Sequence, residues 1–265
     1  MKDAQGREIK YLRVSVTDRC NLRCKYCMPN GIECVEHKDI LSFEEIRQIA
    51  ACGARLGITK IRLTGGEPLA RKGCPELIRM LKEIPGIEKI AMTTNGDQVR
   101  AILPELVEAG LDEINISLDT LDPGRFAAIT GQDLLPEVLL AIDAALAAGL
   151  KVKVNAVSMP DTDWKRLITL AKDKPVDVRF IELMPIGEGR HSEGRSNEDL
   201  LEEIRSEFPQ LQADGSVHGA GPAVYYRIPG YQGSIGLISA MHGKFCSSCN
   251  RVRLTSTGFL KTCLC

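Results

Sequence analysis

The 265 residues suffice for one large domain or two modest ones. A hydrophobic share of 44% and a charged share of 26% match the ordinary soluble mixture and exclude collagen-like, coiled-coil and disordered classes. Lys and Arg number 34 against 35 Asp and Glu, so no global field draws the chain to nucleic acid or an anionic membrane, while a local basic pocket stays open.

In chain order, the opening MKDAQGREIK is polar and lacks the apolar stretch of a signal peptide. No apolar run approaches the roughly 18 residues of a membrane span, so a cytoplasmic protein is expected. A first strand, 12–16, runs into Thr17-Asp18-Arg19-Cys20. Ser42-Phe43-Glu44-Glu45 reads as a capping box opening a helix that Gly57 closes. Strand 59–63 leads into Thr64-Gly65-Gly66-Glu67-Pro68, and strand 89–93 into Thr94-Asn95-Gly96. A helix over 99–109 ends at Gly110, strand 113–118 runs to Asp119, and a helix over 137–148 ends at Gly149. Strand 151–157, a helix over 163–172 and strand 177–181 follow, the last leading into Glu182-Leu183-Met184-Pro185. Ser196 caps a helix over 197–207, and beyond about residue 213 Gly, Pro and Tyr with short β runs suggest a small appended unit. Two units are therefore expected, 1–212 and 213–265. Six β-then-α repeats imply an α/β fold with a parallel sheet, and the pattern alone leaves barrel and open sheet undecided. Ligands belong at the carboxyl ends of its strands.

The cysteines decide the chemistry. All ten lie near the two ends, at Cys20, Cys24, Cys27, Cys34, Cys52, Cys74 and at Cys246, Cys249, Cys263, Cys265. Clustered thiols in a reducing compartment point to metal or redox chemistry rather than disulfides. Cys20, Cys24 and Cys27 form C-x3-C-x2-C, whose soft donors suit an iron–sulfur cluster with one iron left open. Structural zinc is the alternative, with Cys34 or His37 supplying the missing ligand. Cys246, Cys249 and Cys263 form a second triplet, C-x2-C-x13-C. Arg251 and Arg253 follow it on one face of an extended segment, where guanidinium forks match phosphate or carboxylate. That group reads either as a zinc ribbon closed by Cys265 or as a second cluster beside a polyanion site. Cys52 and Cys74 read as small packing residues, Cys52 in a helix and Cys74 in a loop before one. Arg13 and Lys153 interrupt apolar strands, which marks them as more than solvated charges.

The cysteine spacing with Tyr26 before Cys27, together with Gly65-Gly66-Glu67-Pro68, resembles the radical S-adenosylmethionine (SAM) superfamily. With TTNG, INISLDTL, KVKVN, RFIELMP and the terminal FCxxCNRxRLTxxGxLxxCL, the chain resembles the GTP 3′,8-cyclase family of molybdenum cofactor biosynthesis from about Leu12 to Leu264. The resemblance implies an incomplete parallel (β/α)6 TIM-like barrel with a small C-terminal cluster-binding extension. It implies two [4Fe-4S] clusters, one held by Cys20, Cys24 and Cys27, the other by Cys246, Cys249 and Cys263. Tyr26, Gly66, Ser117 and Met184 match positions contacting SAM. Arg13, Arg62, Thr93, Lys153, Arg251, Val252 and Arg253 match positions contacting GTP. The implied partners are GTP, an electron donor, a downstream molybdopterin-pathway enzyme and a second copy in a homodimer, with no nucleic acid and no membrane. On this resemblance a reduced cluster cleaves SAM to a 5′-deoxyadenosyl radical, which takes hydrogen from ribose C3′ so that the carbon radical adds to guanine C8. Family members continue for several dozen residues to a Gly-Gly tail, so a fragment or a shortened variant is expected. Two rivals remain: a peptide-modifying radical SAM enzyme with an auxiliary cluster, and a non-catalytic cluster-binding module.

Overall fold

The computed structural model describes residues 2–4, 6–31, 35–243 and 245–263. Cys34 and Cys265, the candidate fourth ligands, lie outside the described residues. The elements in order are β1 (Tyr11–Ser15), α1 (Phe43–Arg55), β2 (Lys60–Thr64), α2 (Cys74–Lys82), β3 (Lys89–Thr94) and α3 (Val99–Glu108). There follow β4 (Glu113–Ser117), α4 (Pro123–Thr130), α5 (Leu135–Ala147), β5 (Lys151–Ser158), α6 (Trp164–Leu167), α7 (Thr169–Asp173) and β6 (Asp177–Glu182). The last stretch holds α8 (Asn197–Glu207), β7 (Gln212–Asp214), β8 (Val224–Arg227), β9 (Ser234–Ile238), β10 (Arg251–Leu254) and β11 (Leu260–Lys261).

Local chemistry accounts for the helix ends. Glu45 N–H donates to Ser42 Oγ at 3.1 Å while Ser42 N–H donates to Glu45 Oε2 at 2.7 Å, the reciprocal capping box that opens α1. Gly110 and Gly149 take positive φ of 93° and 78° just past α3 and α5, a conformation a side chain would strain. Pro123 at the first turn and Asp122 at the cap start α4, a helix the sequence reading did not mark. Two expectations change: 163–172 divides into α6 and α7, and Cys74 opens α2 rather than preceding it.

Strands β1 to β6 pair in parallel in chain order, joined by crossover helices. The appended segment does not stand apart from this sheet. β9 adds parallel to β6 and β10 adds parallel to β1, so the C-terminal chain supplies the next strand on both flanks. β11 on one side and β8 with β7 on the other pair antiparallel, giving the order β11-β10-β1-β2-β3-β4-β5-β6-β9-β8-β7. The two ends do not meet, and the sheet is an incomplete barrel.

The pleat then divides each strand in two. Leu12, Val14, Ile61, Leu63, Ile114 and Ile116 join the hydrophobic core between sheet and helices. The alternate residues turn to the barrel interior, and these are Arg13, Arg62, Glu113, Asn115, Lys153, Asn155 and Arg179. Arg13 and Lys153 therefore belong to a period-two polar face rather than interrupting strands covered by apolar groups on both sides. Among the described residues no helix is long and apolar enough to cross a membrane.

Candidate active site

A cavity of about 510 Å³ opens at the carboxyl ends of the parallel strands, and both cysteine triplets line it. Cys20, Cys24 and Cys27 come from the loop after β1, while Cys246 and Cys249 precede β10 and Cys263 follows β11. The pairing of β10 with β1 brings the two ends of the chain together.

The first loop is held from several sides. Arg23 Nη1 donates to the Cys20 and Leu22 carbonyls at 2.7 and 2.8 Å. Arg23 N–H and Lys25 N–H bond the carbonyls of Thr130 and Ile129 at the end of α4. The Gly66 N–H donates to Thr17 O and Glu67 N–H to Arg19 O, which lays the turn after β2 against the chain entering Cys20. A Cβ on Gly66 would lie 2.2 Å from the Arg19 carbonyl oxygen, so glycine alone permits this approach. Both carboxylate oxygens of buried Glu67 are engaged, by Leu69 N–H, Thr94 Oγ1 and Asn95 N–H, so Glu67 braces the loops after β2 and β3. Tyr26 donates its hydroxyl to Asp119 Oδ2 at 2.7 Å, and Asp119 Oδ1 accepts from Val157 N–H.

The two triplets sit in opposite electrostatic surroundings. Burial, with the charge of Asp119, pushes the Cys24 thiol up to about 12. Burial also raises Cys20 and Cys27. Burial opposes ionisation of Cys249 too, but hydrogen bonds from the Arg251 backbone and side chain, with the charges of Arg251 and Arg7, bring it below its ordinary value. Among the described residues no three His, Cys, Asp or Glu side chains are grouped as ligands of a single ion. Three spaced thiols on the loop after β1 are a donor set that suits a [4Fe-4S] cube, each thiol taking a different iron.

The basic residues are layered. Arg13, Arg251 and Arg253 line the cavity, as do Thr93 and the SAM-assigned Tyr26, Gly66, Ser117 and Met184. Arg13 Nε is buried with no hydrogen-bond partner, and burial next to Arg253 lowers its guanidinium to about 9. Such an orphaned donor costs about 1–3 kcal/mol unless a ligand satisfies it. Three of the sequence-assigned residues do not line the cavity. Arg62 and Lys153 lie deeper: Arg62 bonds Tyr11, the Met92 carbonyl at 2.9 Å, Thr93 Oγ1 and Glu113, and Lys153 bonds the His218 carbonyl with Asp177 at 3.7 Å. Val252 turns its side chain into the hydrophobic core, because its neighbours Arg251 and Arg253 occupy the interior face. The same deep layer holds Lys60, on Glu113 at 2.8 Å, and Arg179, on Asn155 at 2.6 Å, which the sequence reading missed. Lys60, Arg62, Lys153 and Arg179 are all buried, against the buried carboxylates Glu113 and Asp177. The interior carries excess positive charge, which suits an anion. Period-two alternation in Lys-Ile-Arg-Leu-Thr of β2 and Asp-Val-Arg-Phe-Ile of β6 was the available signal.

Comparison with known proteins agrees with this architecture. The class that fold and site define is the radical SAM superfamily, whose family model matches residues 14–173, and a Molybdenum Cofactor Synthesis C model matches 176–265. A GTP 3′,8-cyclase of Clostridium perfringens (strain 13 / Type A) is 47% identical over 268 residues, covering 100% of this chain and 83% of the relative. That of Moorella thermoacetica (strain ATCC 39073 / JCM 9320) is 46% identical over 272 residues, covering 100% and 84%. The chain belongs to the radical SAM superfamily and, within it, to the family of these GTP 3′,8-cyclases. Membership implies one [4Fe-4S] cluster and SAM. Streptococcus suis SuiB bound to S-adenosylmethionine shares the fold, with a TM-score of 0.74 at 15% identity, covering 97% of this chain and 60% of that one.

Proposed function

We infer that this chain is a radical SAM cyclase that converts GTP to (8S)-3′,8-cyclo-7,8-dihydroguanosine 5′-triphosphate, an early step of molybdenum cofactor biosynthesis. The observation that carries this reading is one cavity lined by both cysteine triplets and by Arg13, whose buried Nε lacks a partner. The shared name of the curated relatives supports GTP as the substrate.

Cys20, Cys24 and Cys27 would hold the first cluster, and Tyr26, Gly66, Ser117 and Met184 would surround SAM. When bound, SAM and a reduced cluster would supply the radical chemistry needed to take hydrogen from ribose C3′, the carbon that is to join guanine C8. The protein does the rest. Arg13, Arg251, Arg253 and Thr93 meet the anionic nucleotide from the cavity wall, and Arg62, Lys153, Lys60 and Arg179 add positive charge from the layer beneath. Val252, between Arg251 and Arg253 in sequence but packed in the hydrophobic core, drops out of the nucleotide contacts. Cys246, Cys249 and Cys263 would hold a second [4Fe-4S] cluster, which would add a binding point for the nucleotide beside Arg251 and Arg253. Residues 213–265 thus add the second triplet, Arg251 and Arg253 to a nucleotide wall whose other members, Arg13 and Thr93, lie in 1–212 with the SAM residues. Apolar lining from Leu22, Phe126, Ile129 and Ile181 excludes water from the reacting carbon. The reaction needs two electrons delivered singly, one to cleave SAM and one, with a proton, to reduce the nucleotide radical left after C3′ joins C8, and a molybdopterin-pathway enzyme would consume the product.

Anaerobic reconstitution tests the reading. About eight irons per chain, 5′-deoxyadenosine formed with SAM and dithionite, and a cyclised nucleotide from GTP are expected. Release of 5′-deoxyadenosine with no affinity for GTP would overturn the substrate assignment. Loaded clusters without 5′-deoxyadenosine would favour a non-catalytic module.

A further inference from the structure

The N-terminal segment belongs to no cysteine motif, yet it reaches the second triplet. Lys10 and Tyr11 N–H both donate to the Asn250 carbonyl, one residue past Cys249, and Lys2 bridges Glu8 in an antiparallel turn. That turn delivers Arg7 to the cavity, where it lines the wall with Cys246 and Cys249, its side chain 11% exposed. Asp3 grips the guanidinium, accepting from Nε at 2.7 Å with Nη2 also at 2.7 Å. The remaining Nη1 donates to the Cys246 carbonyl at 3.3 Å. The fork is thus fixed by a carboxylate on one edge and spends its free edge on the loop that carries a cluster ligand.

The surroundings of the two triplets differ in sign. Around Cys20, Cys24 and Cys27 the cavity wall carries the carboxyls of Glu67 and Asp119. Around Cys246 and Cys249 it carries Arg7, Arg251, Arg253 and Arg13, with Arg251 over the Phe245 ring at 5.1 Å. A reduced cluster is more negative than an oxidised one, so nearby positive charge favours the reduced form.

We propose that Arg7 is a positioning residue of the second metal site, holding the Cys246 turn by its carbonyl and raising the second cluster's reduction potential relative to the first. This rests on the proposed second cluster. Arg251, Arg253 and Arg13 serve the nucleotide as well, whereas Arg7 is fixed by Asp3 with its Nη1 edge turned to the Cys246 carbonyl, so the positive end of the pair faces the cluster loop before substrate arrives.

The test is a redox titration, followed by electron paramagnetic resonance, of nucleotide-free holoenzyme with both clusters loaded. Arg7→Gln should move the second cluster's midpoint to a more negative potential and leave the first where it was. Arg7→Lys, which keeps the charge, should return the second midpoint most of the way toward wild type. If Arg7→Gln sheds iron from the second site only, while Arg7→Lys retains it, the positioning role stands on iron content and the Lys variant supplies the potential. Unchanged midpoints in fully loaded Arg7→Gln, or equal shifts of both clusters, would overturn the proposal. About four irons in the wild type would instead overturn the two-cluster reading, and this inference with it.

Discussion

Arg13 of β1 and Arg253 of β10 are register partners across a parallel strand pair, two cations side by side on the wall of one cavity. Like charges so placed destabilise the empty fold, so an anionic ligand is what their juxtaposition serves. Arg253→Gln should leave the unfolding free energy of the nucleotide-free protein unchanged or higher, by up to about 1 kcal/mol. The same change should weaken GTP binding roughly 10- to 100-fold, the loss expected for a charged hydrogen bond. Calorimetry of unfolding and of binding checks both halves; lower stability with unaltered affinity would contradict them.

Gly66 is confined by the Arg19 carbonyl rather than by any ligand. Gly66→Ala should displace the turn after β2 from the chain entering Cys20, costing about 1–3 kcal/mol of stability through backbone shift. SAM-dependent 5′-deoxyadenosine formation should fall at least tenfold, measured beside iron content. Retention of full activity would mean that the turn can slide away without disturbing the SAM site.

Cys246→Ser should remove about four irons and four sulfides and spare the first cluster, since one cube holds four of each. Metal analysis and the resonance signal of the remaining cluster report this directly. One zinc per chain in the wild type would contradict it.

Lys153 supplies a pH signature. Burial, reinforced by Arg179 and opposed by Asp177 and Glu113, lowers its ammonium to about 8. Its charged form suits an anionic ligand, so nucleotide binding takes up a proton as pH approaches and passes 8. Affinity for GTP should therefore fall with rising pH above that point, roughly tenfold per unit at most for one proton. The stability effect runs the opposite way: the unfolded chain holds the Lys153 proton to higher pH, so the penalty for burying the charge is relieved as pH rises through about 8. Lys153→Arg should flatten the binding profile, read by titration calorimetry between pH 7 and 9. A profile as steep in the variant as in the wild type would exclude Lys153 as its source.

The strands and the chemistry were legible in the chain itself. The six expected strands, the capping box and the two cysteine spacings are local patterns, fixed by side-chain period, turn geometry and ligand type, and they recur in the folded protein. The interior charges were half legible. Alternation in β2 and β6 puts Lys60 and Arg179 on the same face as Arg62, but single cations in short strands read as solvated charges until the curved sheet encloses that face. Val252 was assigned with its neighbours, although one step along a strand reverses the face.

The linear order of residues supplies the donors, three thiols toward each end, a glycine turn and basic residues within the strands. Their meeting in one cavity depends on the folded chain. β10 pairs with β1 although more than 200 residues separate them, a long-range contact whose register no local periodicity encodes. The same pairing sets Arg13 beside Arg253, and the N-terminal turn carries Arg7 to the Cys246 loop. Hydrogen-bonded register, acting across the whole length of the chain, brings two separate cysteine triplets to one cavity.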